Sequence, residues 1–251
     1  MGILESMIMG AIQGITEFLP ISSSGHLVLF QNLFGLNTEN ILFDICLHIA
    51  TLGAVLFVFW KKVVQLVKHP FSSMAVKLYV ATIPTVVLVL IFREYIETSF
   101  GGYFFVFGFI ITAMMLLVTE LFSRKKEKQP LGKLSSFFMG VAQGIATLPG
   151  VSRSGSTICM GLMLGKDRKE VAEFSFLMSI PVIIASLVYE LCFSEQIVAV
   201  ELIPLILGMF TAFVLGVLAI KFMLKIIQKT SLIWFALYLS ILVCIITFLY
   251  F

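Results

Sequence analysis

The feature that most constrains this chain is its shortage of charge. Only 12% of its 251 residues are charged, 60% are hydrophobic, and the mean hydropathy is +1.09. Since a typical soluble domain is about one quarter charged, this chain cannot cover a globule with polar side chains. A soluble enzyme is therefore excluded, and a polytopic membrane protein is predicted. The four cysteines are scattered through apolar stretches, which excludes a secreted disulfide scaffold.

Six apolar stretches are long enough, or nearly so, to cross a hydrocarbon core about 30 Å thick. Two other apolar regions are interrupted by Pro, Gly and runs of Ser, and each uninterrupted piece covers only about half of the membrane as a helix. We predict that these two regions, 3–36 and 134–165, are re-entrant helical hairpins, whose tips must be buried in protein or face a wet cavity. The predicted spans are 41–60, 75–92, 102–122, 171–193, 202–227 and 231–251.

The basic residues predict the orientation of these spans. Fifteen of the 17 Lys and Arg fall in segments 61–77, 124–133, 166–169 and 221–229, and the six spans alternate without conflict if these segments are cytoplasmic. The first hairpin then enters from the outer side, and the second enters from the cytoplasm. The two basic residues outside these segments are Arg93 and Arg153, and Arg153 falls in a hairpin tip.

The two hairpin regions also resemble each other. Residues 9–26 align without a gap to residues 139–156, with eight of 18 positions identical. Because three spans follow each copy, the second copy must be inverted relative to the first, an arrangement that places binding sites near the bilayer midplane. We therefore predict an all-α polytopic membrane protein built from two inverted repeats, each a re-entrant helical hairpin plus three transmembrane helices. Its single domain, 1–251, divides into repeat 1 (1–122), a basic cytoplasmic loop (123–133) and repeat 2 (134–251).

The tips carry ionisable side chains at membrane depth, where each costs about 2.5–3.5 kcal/mol on insertion scales. Glu17 and His26 lie in the first tip and Arg153 lies in the second, so we expect them to share one site if the tips meet. Helix starts rich in Ser and Gly bind anions, and Arg is a bidentate donor suited to phosphate, so the predicted ligand carries a phosphate. The candidate phosphate-binding residues are Ser22, Ser24, Gly25, Ser152, Ser154, Gly155, Ser156 and Thr157.

Each of these residues has a structural alternative. Glu17 and Arg153 could form an ion pair that only docks the hairpins, and His26 and the serines could cap helices. Asp44 and His48 lie four residues apart on one face of the first span, so they either line the cavity or form a local pair.

Two segments carry a resemblance to a known family. Residues 17–26 (EFLPISSSGH) and 149–157 (PGVSRSGST) resemble the two signatures of the undecaprenyl-diphosphate phosphatases, also called bacitracin-resistance proteins, and the resemblance covers nearly the whole chain. It implies hydrolysis of undecaprenyl diphosphate to the monophosphate, which recycles the lipid carrier of peptidoglycan synthesis and confers bacitracin resistance. It further implies a multi-pass protein of the bacterial plasma membrane with its active site open to the outer face.

The resemblance also implies roles for particular residues. The family's functional Glu, Ser, His and Arg fall on Glu17, Ser23, His26 and Arg153. Family members depend on a divalent cation, so Mg or Ca is expected here with Glu17 as a candidate ligand, and a homodimer is an expected form. Many members carry a second Glu four residues before the first, where this chain has Gln13, whose amide oxygen can still coordinate a cation or line the cavity.

The sequence leaves the nucleophile and one competing function open. The nucleophile is either Ser23 activated by His26, or water or His26 itself, with Glu17 orienting or deprotonating. A lipid-phosphate transporter or flippase would need the same anion site and the same inverted repeats. A Cys-x5-Arg phosphatase is excluded because that motif is absent, and a second integral lipid-phosphatase class is disfavoured because no His follows Arg153 at the required spacing. The expected partners are a polyprenyl diphosphate lipid and the bilayer, with no nucleic acid.

Overall fold

The structure, a computed structural model, describes residues 1–35, 41–99, 104–123, 129–193 and 201–250. These ranges fold into α-helices, and the only strand-like pairing within them is an isolated bridge between Gln129 and Lys166. The predicted all-α class is therefore confirmed. The helices are α1 Ile3–Thr16, α2 Ser23–Phe34, α3 Ile41–Val58, α4 Trp60–Lys68, α5 Ser73–Ser99, α6 Phe104–Ser123, α7 Lys133–Ile145, α8 Arg153–Met163, α9 Arg168–Phe193, α10 Leu202–Ile226 and α11 Ile233–Tyr250.

Several of these helices are candidates to cross a membrane. Helices α5, α6, α9 and α10 are each long and apolar enough, and they correspond to the second to fifth predicted spans. Helices α3 and α4 pass the same test only as a pair, bent by 83° at their junction. The sixth predicted span is α11, whose apolar part, Ile233–Phe248, is shorter than a full span. The chain is thus a multi-pass membrane protein.

Helix α4 was not predicted from the sequence. The first predicted span, 41–60, ends two residues early at Val58, and the chain then turns sharply into α4, on which no residue is buried. Trp60 and Val67 are exposed on this helix beside its lysines, the composition of a helix that lies along a membrane surface. Lys62 forms an ion pair with Glu173 of α9, which ties α4 to the bundle.

The two predicted hairpins are formed by α1–α2 and α7–α8, and each packs against the opposite half of the chain. Helix α1 lies along α10, and α7 lies along α5. A Cβ atom on Gly10 would overlap the carbonyl of Gly208, and one on Gly140 would overlap the carbonyl of Ala81, so these helices touch at their backbones. Such contacts through small residues are the usual way for helices to associate in a membrane. Gly10 and Gly140 are 130 residues apart, which is the offset of the sequence repeat.

Because each hairpin packs against the opposite half of the chain, both tips lie among the helices of the bundle. Helices α6 and α11 pack against each other, α6 contacts both α2 and α8, and α3 packs against α9 and α10. The inversion of the repeats and the domain bounds stay predictions. Residues 124–128 of the predicted basic loop, which include the basic residues Arg124, Lys125, Lys126 and Lys128, lie outside the described residues.

Candidate functional site

The two hairpin tips bond directly to each other. The Ser154 hydroxyl donates to the carbonyl of Leu19 at 2.9 Å, and the Gly150 amide donates to the Ser24 hydroxyl at 3.5 Å. Ser24 and Ser154 are equivalent positions of the repeat, so each tip supplies the same serine to the contact. The structure therefore brings together the two tips that the sequence analysis expected to share a site.

Each tip ends in a serine that caps the following helix. Ser22 caps α2 by accepting a hydrogen bond from the Gly25 amide at 3.4 Å, and Ser152 caps α8 by accepting one from the Gly155 amide at 3.0 Å. The capping alternative is thus correct for these two serines. Ser22 has a φ of +68° and is the only non-glycine residue in the described ranges with a positive φ. Ser152 has an ordinary φ of −71°. The first tip therefore holds backbone strain of a kind that clusters at functional sites.

The Glu17 carboxylate is the centre of the site. Its Oε1 atom forms an ion pair with Nη2 of Arg153, and its Oε2 atom accepts hydrogen bonds from the Ser23 hydroxyl at 2.6 Å and from Nε2 of Gln13 at 3.2 Å. The side chains of Glu17 and Arg153 are only 6% and 15% exposed. Ser23 and Arg153 are equivalent positions in the two repeats. The first repeat therefore contributes a hydroxyl, and the second a guanidinium, to the same carboxylate.

Two polar atoms beside this carboxylate lack partners. Nη1 of Arg153 and Oε1 of Gln13 are buried and make no hydrogen bond within the part of the chain that the structure describes. Leaving such a group unsatisfied costs about 1–3 kcal/mol, and more for a charged one. An unpaired guanidinium N–H suits an anion, and an unpaired amide oxygen suits a cation or a donor. The Arg153 atom therefore points to a ligand that the protein alone does not supply, whereas an unpaired amide oxygen also occurs at Gln143, the equivalent position of the second repeat.

His26 lies in the first turn of α2 with both ring nitrogens engaged, and it forms no hydrogen bond or ion pair with Glu17 or Arg153. A backbone carbonyl can only accept, so the 2.7 Å contact with the carbonyl of Ser22 fixes the proton on Nδ1. The other nitrogen, Nε2, then carries a lone pair and accepts from the Tyr238 hydroxyl at 2.8 Å. The His26 and Tyr238 rings are stacked, with centroids 5.8 Å apart and planes 7° from parallel. The sequence analysis did not identify Tyr238, because it is one of several hydroxyl residues in the last predicted span and nothing in the sequence distinguishes it from Ser240 or Thr247.

The structure also separates two residues that the sequence analysis had linked. Ser23 was a candidate for activation by His26, but its hydroxyl donates to Glu17, and no hydrogen bond joins it to His26 among the described residues. The reason is that Nε2 of His26 bonds to α11, while Nδ1 is held by the backbone of its own helix. The base next to Ser23 is therefore Glu17.

The hydroxyls of two predicted phosphate-binding residues contact neighbouring helices or the backbone of their own helix. The Ser156 hydroxyl points to the sulfur of Met115 on α6, 4.0 Å away. The Thr157 hydroxyl bonds to the carbonyl of Arg153 and, at 2.6 Å, to Ser175 on α9. These hydroxyls pack α8 against its neighbours, so the hydrogen bonding gives their phosphate-binding role no support.

Asp44 and His48 do not pair through their side chains. The Asp44 carboxylate accepts from Nε2 of Gln31 at 3.2 Å, and Nδ1 of His48 donates to the backbone carbonyl of Asp44 at 2.9 Å. His48 interacts electrostatically with both Asp44 and Glu17. The lining of the cavity and a local pair therefore both stay predictions for these two residues.

The donor set at the tips limits how a cation could be held. No three His, Cys, Asp or Glu side chains cluster as metal ligands anywhere in the described ranges. A closed protein cage for a metal is therefore absent from that part of the chain. Mg²⁺ commonly takes one or two carboxylates and completes its shell with phosphate oxygens and water, and Glu17 together with the unpaired Oε1 of Gln13 fits such a partial site.

Comparison with known proteins gives consistent matches over almost the whole chain. The family model described as bacitracin resistance protein BacA matches residues 6–245. A curated protein of Carboxydothermus hydrogenoformans named undecaprenyl-diphosphatase is 41% identical and covers 96% of this chain and 95% of its own length. Proteins of the same name from Treponema denticola and Bacteroides thetaiotaomicron are 40% and 38% identical, each covering 95% of this chain, with 94% and 95% of their own lengths matched.

We predict that Tyr238→Phe lowers kcat without unfolding the protein. The change removes the hydroxyl that orients Nε2 of His26 but keeps the stacked ring, and a lost neutral hydrogen bond of about 1 kcal/mol corresponds to roughly a fivefold lower rate. Steady-state phosphate release would show a lower kcat with an unchanged KM. Tyr79→Phe, at an exposed position of α5, is the control. A kcat of Tyr238→Phe equal to that of the control would contradict the role of this hydroxyl.

Proposed function

Because this chain belongs to the bacitracin resistance protein BacA family, we propose that it hydrolyses undecaprenyl diphosphate to undecaprenyl phosphate and inorganic phosphate. This reaction recycles the lipid carrier of cell-wall synthesis and confers resistance to bacitracin. The observation that carries the proposal is the Glu17 carboxylate, which binds Arg153 and Ser23 at the same time. A base, a hydroxyl and a guanidinium thus meet at one point inside a membrane protein.

The tips offer a binding place for the terminal phosphate. Nη1 of Arg153 is free to donate to a phosphate oxygen while Nη2 stays on Glu17. Helices α2 and α8 both begin at the tips, and the N-terminus of a helix favours negative charge. Ser23, Ser24 and Arg153 are the partly exposed members of the site, so a lipid headgroup can approach them from that side.

The geometry favours Ser23 as the nucleophile. Its Oγ atom attacks the terminal phosphorus while Glu17 Oε2, 2.6 Å away, accepts the hydroxyl proton. The bond from phosphorus to the bridging oxygen breaks, and undecaprenyl phosphate leaves. Water then hydrolyses the phosphoserine, which releases inorganic phosphate and restores the serine hydroxyl. Arg153 stabilises the negative charge that the transferring phosphoryl group carries in both steps.

A divalent cation, Mg or Ca, forms part of this proposal. Glu17 and the unpaired Oε1 of Gln13 would hold it together with oxygens of the diphosphate. Such a cation would neutralise charge on the phosphate oxygens and increase the electrophilicity of phosphorus. Gln13 contributes a neutral oxygen here, so the protein part of the site carries a single carboxylate.

The localisation and the oligomeric state are proposed on the basis of the same family. We place it in the bacterial plasma membrane with the catalytic tips open to the outer face, and we expect a homodimer. Support for the orientation comes from the basic residues Lys166, Arg168 and Lys229, which gather at the end of α8 opposite to the tips. Cytoplasmic ends of membrane helices carry such an excess of positive charge.

Phosphate release in detergent micelles separates this function from the competing transporter. We expect purified protein to release phosphate from undecaprenyl diphosphate in micelles, where there are no two sides to transport between. Chelation of divalent cations should suppress the release, and inorganic diphosphate should be a poor substrate because it lacks the lipid. Transport of a lipid phosphate in vesicles without any hydrolysis in micelles would instead support the flippase. Equal cleavage of inorganic diphosphate would contradict a lipid substrate.

The nucleophile can be identified by trapping. With substrate labelled in its terminal phosphate, denaturation by detergent at neutral pH, which preserves both phosphoserine and phosphohistidine, should leave label on Ser23, and Ser23→Ala should lose both the label and nearly all turnover. Ser73→Ala is the control, since this exposed serine at the start of α5 lies outside the tips. A label on His26, or label-free turnover that survives in Ser23→Ala, would exclude the serine mechanism in favour of His26 or water.

A further inference from the structure

A polar cavity lies at the other end of α8 from the tips. It has a volume of about 360 Å³ and is lined by the end of α6, the turn between α8 and α9, and the turn between α10 and α11. Arg153 begins α8 and Leu162 contributes to the cavity wall. At 1.5 Å per residue the two positions are roughly 14 Å apart along the helix, so the cavity is separate from the site at the tips.

One wall of this cavity is formed by the ion pair between Arg168 and Glu120. Nη2 of Arg168 binds the Glu120 carboxylate at 2.9 Å, and its Nη1 donates to the carbonyls of Ile227 and Thr230 at 3.3 Å each. Glu120 also accepts from the Leu232 amide at 3.1 Å. These contacts tie α6, α9 and the turn before α11 together. Glu120 and Arg168 therefore shape the cavity, and their charges offset each other.

Among the described residues, the remaining charged groups on the cavity are both positive. Lys166 has one exposed hydrogen bond, at 3.3 Å to Oε1 of Gln129, and Lys229 forms no ion pair with any described residue. The cavity thus has an excess of two positive charges once Glu120 and Arg168 are set against each other.

Hydroxyl donors complete the lining. Ser123, Thr230 and Ser231 all border the cavity. The Oγ atom of Ser123 is buried and has no hydrogen-bond partner in the described ranges. A buried hydroxyl without a partner next to two ammonium groups is an arrangement that an oxyanion would satisfy.

We propose that this cavity binds a phosphate group, carried either by inorganic phosphate or by the headgroup of an anionic lipid. The two ammonium groups supply charge-assisted hydrogen bonds, and the hydroxyls supply neutral ones. The cavity opens among helix ends of a membrane bundle, which is where basic pockets receive lipid headgroups. Its lysines have no part in the hydrolysis at the tips, so binding here is an additional property of the protein.

The test compares two double variants of the full-length protein in detergent. The cavity variant, Lys166→Gln with Lys229→Gln, removes the two positive charges that are not offset by Glu120. The control variant, Lys221→Gln with Lys225→Gln, removes two exposed lysines of the same region that do not line the cavity. Affinity for inorganic phosphate is measured by calorimetry, and retention of phosphatidylglycerol over phosphatidylcholine is measured by native mass spectrometry. We expect the cavity variant alone to lose roughly tenfold or more in affinity for one of these probes. Ser123→Ala should weaken the same probe without altering the surface charge.

The outcomes separate the two sources of the phosphate. A loss limited to inorganic phosphate identifies a site for the free ion, and a loss limited to phosphatidylglycerol identifies a site for the lipid headgroup. Phosphate release from undecaprenyl diphosphate in micelles should stay at the wild-type level in all variants. Equal affinities of the cavity variant and the control variant for both probes would overturn the proposal.

Discussion

The ion pair between Glu17 and Arg153 is the interaction on which the rest of the structure depends. Either charge alone would be costly at membrane depth, and together they satisfy each other while joining two hairpins from opposite halves of the chain. Breaking such a pair by removing one partner leaves an uncompensated buried charge, which is far more costly than never having the pair. The contact that makes the tips stable is therefore also the contact that assembles the groups proposed to be catalytic.

The position of this ion pair is set by close backbone packing around the tips. A Cβ on Gly108 of α6 would overlap the carbonyl of Pro149, and one on Gly25 would overlap the ring of Phe109. Gly150 has a φ of +82° and lies against the carbonyl of Phe105. Because these glycines pack directly against neighbouring backbone or an aromatic ring, the tips have little room to shift, and a rigid scaffold of this kind can preorganise groups for a transition state.

The sequence was sufficient to predict the hairpins and the central pair of charges. The repeat at an offset of 130 residues located both tips, and Arg153 was one of only two Lys or Arg residues outside the segments predicted to be cytoplasmic. It could not predict the bend at Phe59, because α3 and α4 are contiguous and the apolar pattern alone does not show where a helix turns. Tyr238 was missed because its contact with His26 spans 212 residues and follows from the packing of α11. The partner of Ser23 likewise depends on side-chain direction in the folded tip, which spacing along the chain does not determine.

A double-mutant cycle on the two central residues tests this account most directly. The measured quantity is kcat/KM for undecaprenyl diphosphate in micelles, for Glu17→Gln, Arg153→Gln and the double variant, each first shown to be folded by its thermal unfolding. If the two residues act as one unit, the double variant should be about as slow as the slower single variant. Losses that multiply in the double variant would show that Glu17 and Arg153 act independently, and would contradict a single site shared by the two halves.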